Sequence, residues 1–185
     1  SVSPYQPPGL WKEVAYGEKF TAQEYKQHHG PDLYRRSMYT FWKRQSPPPS
    51  MMVFDTPNRE VCTARRSRTN TPLQALDLMN DPQYVEASRA LAERMMKEGG
   101  KTPDQRVSYA FCLATARQPS AKEKDILLNV YHAQLKEYEQ DTNEAKALIS
   151  VGDSKPDPKL DVSELAAYST VASMILNLDE TITKS

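Results

Sequence analysis

Four arginines within ten residues, Arg59, Arg65, Arg66 and Arg68, are the densest polar chemistry in the chain. Each guanidinium is a planar fork of donors that matches carboxylate, sulfate or phosphate oxygens. They run into Asn70-Thr71, where a helix begins, and free backbone N–H groups at a helix start add further donors for an anion. The same arginines can instead pair with Asp55, Glu60, Asp77 or Asp81 and pin an irregular segment, whose backbone needs polar ties, onto the helices. Both readings stay open from sequence. Upstream, Tyr34, Tyr39, Phe41 and Trp42 interleave with Arg35-Arg36 and Lys43-Arg44. Rings beside cations are what single-strand binders use to stack bases. The chain balances 24 basic against 24 acidic side chains, however, so nucleic acid is not an expected partner. Tyr39 or Trp42 can equally stack on a sugar ring while the arginines grip an anionic carbohydrate, such as a sulfated one.

Other chemistry is thinner. His28-His29 is the single histidine pair, and adjacent histidines on a helix point in different directions, so no metal site is expected. Cys62 lies in a basic neighbourhood that favours a thiolate, but no nucleophile motif accompanies it, and no catalytic residue is assigned. Two cysteines, without a CxxC or CxxCH, exclude a cysteine zinc site and an attached c-type haem in this chain. A single Cys62–Cys112 bridge is allowed. The Met51-Met52 and Met95-Met96 pairs read as core filler. No run of apolar residues is long enough to span a membrane, and the opening Ser1–Tyr5 lacks the regions of a signal peptide.

The elements that must position these residues fall into two compositions. Residues 1–75 hold nine of the fourteen prolines, ten of the sixteen aromatics, and eleven basic against six acidic side chains. Residues 76–185 hold thirteen basic against eighteen acidic. Five helix-start signals punctuate the second part: Thr71–Gln74, Asp81-Pro82, Thr102–Gln105, Ser120–Glu123 and Asp161–Glu164. They predict helices over about 72–80, from 82 to a stop at Gly99-Gly100, from 103, from 121, and from 162. A shorter helix is expected over 144–151, closed by Gly152, followed by a polar proline loop at 153–160. Tyr84, Val85, Ala87, Leu91, Ala92, Met95 and Met96 approximate one apolar helical face.

The first part is proline-laced. Residues 1–10 read as extended, Thr21–His29 as a short helix, and Pro47-Pro48-Pro49 as polyproline-like. Leu33–Arg44 fits a helix with Leu33, Phe41 and Trp42 inward. It also fits a strand alternating Ser37, Tyr39 and Phe41 against Met38, Thr40 and Trp42; the helix is preferred. The fold class expected is mainly α: an irregular proline-rich segment, residues 1–71, wrapped on a bundle of about five to six helices, residues 72–185, in one domain.

Several long motifs point to a family. They are Tyr5–Trp11, Leu33–Arg44, Pro48–Asp55, Asn58–Arg66, Arg68–Leu76 and Asn177–Glu180. In collinear order they resemble the C-terminal part of the planctomycete-specific domain of unknown function found with a planctomycete cytochrome-c module. The resemblance implies an exported, periplasmic or cell-surface, multidomain protein in which haem belongs only to the separate cytochrome-c module. It implies that this chain is a C-terminal fragment of a larger domain and carries no cofactor of its own. An exported setting would favour the Cys62–Cys112 bridge. No reaction or catalytic residue comes with the family. The expected role is a non-catalytic module that packs on neighbouring domains, on the missing N-terminal portion or on a partner protein through residues 32–75. A carbohydrate-acting domain and a docking surface for electron transfer are the alternatives.

Overall fold

A computed structural model describes residues 1–6, 9–11, 25–43 and 46–183. It is mainly α, with eight helices among the described residues, and it divides into two compact units, Ser1–Gln74 and Ala75–Ser185. Among those residues no helix is long and apolar enough to cross a membrane.

The helical unit follows its caps. α2 spans Pro72–Asn80. α3 spans Pro82–Glu98, with the Asp81 carboxylate accepting from the Gln83 N–H and Gly99 closing the end. α4 (Pro103–Thr115) and α5 (Ala121–Gln140) both start in complete capping boxes, Thr102 with Gln105 and Ser120 with Glu123. Each box satisfies two N–H groups that the first turn leaves without helical partners. α6 spans Thr142–Ile149, two residues ahead of the expected start, because Asp141 caps it by accepting from Asn143 and Glu144. α7 (Val162–Leu176) is capped by Asp161, and a short α8 (Asp179–Ile182), which sequence did not suggest, ends the unit.

α7 is the axis of this unit and packs against α3, α4, α5 and α6. Leu165, Ala166, Ala167, Tyr168, Val171, Ala172 and Ile175 on it are all buried. A helix apolar round most of its circumference belongs at the centre of a bundle, where neighbours cover every side. Phe111, Met95 and Val107 close the core around it. Tyr131 stacks on Tyr168 at 4.3 Å between centroids, and Arg106 reaches the Glu164 carboxylate at 2.9 Å beside them.

The first unit is held differently. Val2 pairs with Thr40 in an isolated parallel bridge, its N–H donating to Tyr39 and its carbonyl accepting from Phe41, both at 2.8 Å. Trp11, buried and in the left-handed region at φ 85°, meets Tyr25 and Phe41 edge-on, at 5.0 and 5.6 Å. Leu33 is buried as expected, but over 33–43, the described part of the segment 33–44, neither the helix nor the strand forms. Two 3₁₀ turns, Gly30–Tyr34 and Ser37–Tyr39, lead into the bridge instead. The bridge hydrogen bonds to Val2 fix Thr40 and Phe41 as extended backbone, which stops a helix there. Of the helix expected over residues 21–29, residues 21–24 lie outside the described residues and 25–29 are not helical. Pro49 does not extend a polyproline run either: it starts α1 (Pro49–Val53) as its first residue, the helix position that needs no N–H.

Candidate functional site: a pinned arginine loop

The arginines sit on a loop whose base is tied shut and whose body faces solvent. At the base, Gln74 is buried to 1% exposure and serves two purposes. Its side-chain carbonyl accepts from the Thr71 N–H at 2.9 Å, completing the capping box that sequence predicted for α2. Its amide then donates to the Val53 carbonyl at 2.8 Å and to the Thr69 hydroxyl at 2.9 Å. Asp55, at φ 57°, accepts from both the Thr69 hydroxyl, at 2.7 Å, and the Thr69 N–H, at 2.9 Å. The Thr69 hydroxyl, with the positive Arg66 nearby, holds the Asp55 carboxyl below its ordinary value. Arg66 also donates to the Phe54 carbonyl. Residues 53–55 are thereby clasped to residues 66–74, and the chain between them closes into a loop.

Everything from Asn58 to Asn70 is exposed, including Arg59, Arg65, Arg66, Arg68, Asn70 and Cys62. No ion pair to Arg59, Arg65, Arg66 or Arg68 occurs among the described residues. The arginines are therefore neither clamped on the carboxylates considered for them nor, within the described residues, gathered in an enclosed pocket.

The aromatic residues expected beside them lie on the same unit with cations over their faces. The Arg59 guanidinium stands 4.7 Å over the half-buried Trp42 ring, Arg35 stands 4.2 Å over Tyr39, and Lys43 stands 4.0 Å over Trp11. Each cation is attracted by the negative face of the ring and is held there. One face each of Trp42 and Tyr39 is thus taken by a guanidinium, which removes that face from any sugar. Tyr34, Met38, Tyr39 and Phe41 are exposed, so Phe41 is not the inward residue expected.

The remaining candidates separate. His28 pairs with Asp32 at 3.3 Å. Cys62, exposed, and Cys112, half-buried, carry free thiols and belong to different units, so the bridge weighed for them is not formed in this structure. Among the described residues no group of three or more His, Cys, Asp or Glu side chains is placed to hold a metal ion.

Sequence reasoning missed a second polar cluster, in the helical unit. Arg89 and Glu86 on α3 are buried, at 2% and 3% exposure. Arg89 reaches Glu93 at 2.6 Å and the Ser154 hydroxyl and carbonyl at 2.5 and 2.9 Å. The Glu86 carboxylate accepts the N–H groups of Asp153 and Ser154, at 3.2 and 2.7 Å, and the Ser154 hydroxyl. Lys97 extends the chain of charges to Asp157 at 2.8 Å. Together they seat the loop 153–160 on α3. Gly152 makes the approach possible: at φ +100°, a side chain there would meet the Glu86 carboxyl at 2.4 Å. The signal available in sequence was the opposite-charge trio at 86, 89 and 93, spaced to share one helix stripe.

No curated protein and no solved structure matches this chain. A family model does, over residues 1–131, and its description is PSD1, protein of unknown function (DUF1553). The matched stretch takes in the arginine loop and ends inside α5, whereas α7, which fills the core of the helical unit, lies beyond it. The chain belongs to the PSD1 family of unknown function.

Proposed function

We propose that this chain is a non-catalytic interaction module whose contact surface lies within residues 32–75 and grips an acidic face of a neighbouring domain or partner protein. The observation that carries the reading is the arginine loop, with a clasped base and a solvent-exposed body whose arginines make no ion pair among the described residues. Pinning the base reduces the chain entropy lost when the loop is seated on a partner. Arginines and aromatics are also the residue types that anchor interfaces. Tyr34, Met38, Tyr39 and Phe41 supply apolar area on the same unit. In the setting suggested by the resemblance, the partner is part of an exported, cytochrome-c-containing assembly, and any haem is held outside this chain.

The test is charge reversal. Arg65→Glu, Arg66→Glu and Arg68→Glu together should weaken association between this chain and the rest of its full-length protein at least tenfold by titration calorimetry. The helical circular dichroism signal should stay unchanged. Undiminished association of the folded triple variant would overturn the proposal.

A further inference from the structure

The helical unit contains a groove of about 440 Å³ between α2, α3, α5, α6 and α7. That volume lies in the range of small-molecule sites, and it is independent of the arginine loop. Its floor is formed by Ser88, Tyr138 and Ser169, all buried, while Met79 and Met174, at 52% and 38% exposure, stand at its mouth.

Two features of the lining define what fits. First, among the described residues no Lys, Arg, Asp or Glu side chain lines the groove. A charged ligand would enter without a counter-charge and lose its hydration, which is costly in an apolar site. Second, three of the lining hydroxyl protons are already committed. Ser88 donates to the Tyr84 carbonyl at 2.8 Å, Ser169 to Leu165 at 2.7 Å, and Thr170 to Ala166 at 3.3 Å. Asn177 similarly donates to the Ala75 carbonyl at 3.3 Å. These three hydroxyls still offer oxygen lone pairs, and the Asn177 amide offers its carbonyl oxygen and a second N–H, so the site suits a ligand hydroxyl, which can donate to the one and accept from the other. Met79 and Met174 are flexible apolar side chains able to mould to an apolar body.

We infer that this groove binds an uncharged small molecule with an apolar body and a hydrogen-bond donor, of the class of a phenol or alkyl alcohol. The probes are 4-ethylphenol, ethylbenzene, which lacks the donor, and 4-ethylbenzoate, which carries a charge. The readout is the ¹³C-methyl resonances of Met79 and Met174 in the intact chain. 4-Ethylphenol should shift both in a saturable way. Ethylbenzene and 4-ethylbenzoate should bind at least about tenfold more weakly, which is about 1.4 kcal/mol. Ser173→Phe, which fills the groove from α7, should abolish the shift, read on Met79. Met174→Trp at the exposed mouth does the same without touching the core and serves if Ser173→Phe fails to fold. The inference is overturned if 4-ethylphenol gives no saturable shift, if either control binds as well, or if a folded plugged variant binds like the parent.

Discussion

The two units of this chain solve the same problem, fixing a backbone, by opposite means. In Ala75–Ser185 the helices α3 to α7 are each started by a side chain one residue ahead or by a box closed within four residues. The assembled helices then share one core around α7. In Ser1–Gln74 the described ties are long in sequence, among them Val2 to residues 39–41, Trp11 to Tyr25 and Phe41, and Gln74 to Val53. Local ties set the helices, and packing of the helices then brings charges together across them, Arg106 with Glu164 and Arg117 with Glu180. Distant ties fix a few points and let the chain between them stand out, as the arginine loop does. Both tryptophans, Trp11 and Trp42, lie in the first unit, so their fluorescence reports it, whereas far-ultraviolet circular dichroism reports chiefly the helices.

The largest effect is expected from the helical unit's buried tie between α3 and the loop 153–160. Arg89→Ala leaves the Glu86 carboxylate buried beside α3 without its guanidinium, a class of change that costs about 3–5 kcal/mol. The urea midpoint of the circular dichroism transition should fall sharply. A loss below about 1 kcal/mol would mean that water reaches the cluster and that the loop 153–160 is not seated on it.

The next effect targets the first unit's clasp. Gln74→Ala removes three hydrogen bonds and strips the Val53 carbonyl of its Gln74 donor, for about 1–3 kcal/mol. Here the tryptophan fluorescence transition should move to lower urea. If fluorescence and circular dichroism shift together in both variants, the units unfold as one cooperative body and the contrast between them is structural only.

These two variants also mark how far the sequence could be read. The caps were legible because a capping box is four residues long and its chemistry is local: Thr71–Gln74, Thr102–Gln105 and Ser120–Glu123 all form as their spacing requires. The identity of Gln74 as a cap was visible, but its amide's reach to Val53, 21 residues back, was not. On α3 the apolar pattern suggested a face through Ala87, which is exposed, while the buried face carries Glu86, Ser88 and Arg89. Periodicity counts apolar residues and cannot see that a distant loop will neutralise a buried charge. Residues 33–43 form neither helix nor strand for the same reason, since the bridge that shapes them comes from Val2. Of the candidate site, the arginines and rings were legible by type; that guanidinium groups would cover Trp42 and Tyr39 was not, because it depends on side-chain placement after folding.

The smallest effect separates two kinds of surface arginine. Arg117, in the helical unit, donates to Glu123 at 2.6 and 3.0 Å and to Glu180 at 2.7 and 2.8 Å, whereas Arg65 and Arg68 have no such pairing among the described residues. Arg117, followed by the Ser120 hydroxyl and N–H, pulls the Glu123 carboxyl from its ordinary value near 4.5 down to about 2. A carboxylate whose folded value is depressed favours the folded state above its unfolded value, and that contribution is lost as pH falls through the folded one. The stabilisation from Glu123 should thus be full above about pH 4.5 and gone once pH drops below about 2. In Arg117→Gln the Glu123 side-chain carbon, followed by NMR, should titrate closer to its ordinary value, and stability near neutral pH should fall only slightly, because the groups are exposed and screened. If Glu123 titrates unchanged in that variant, the Ser120 cap alone sets its value. Arg117 would then be as free of its carboxylates in solution as Arg65 and Arg68, and the contrast between paired and unpaired arginines would be lost.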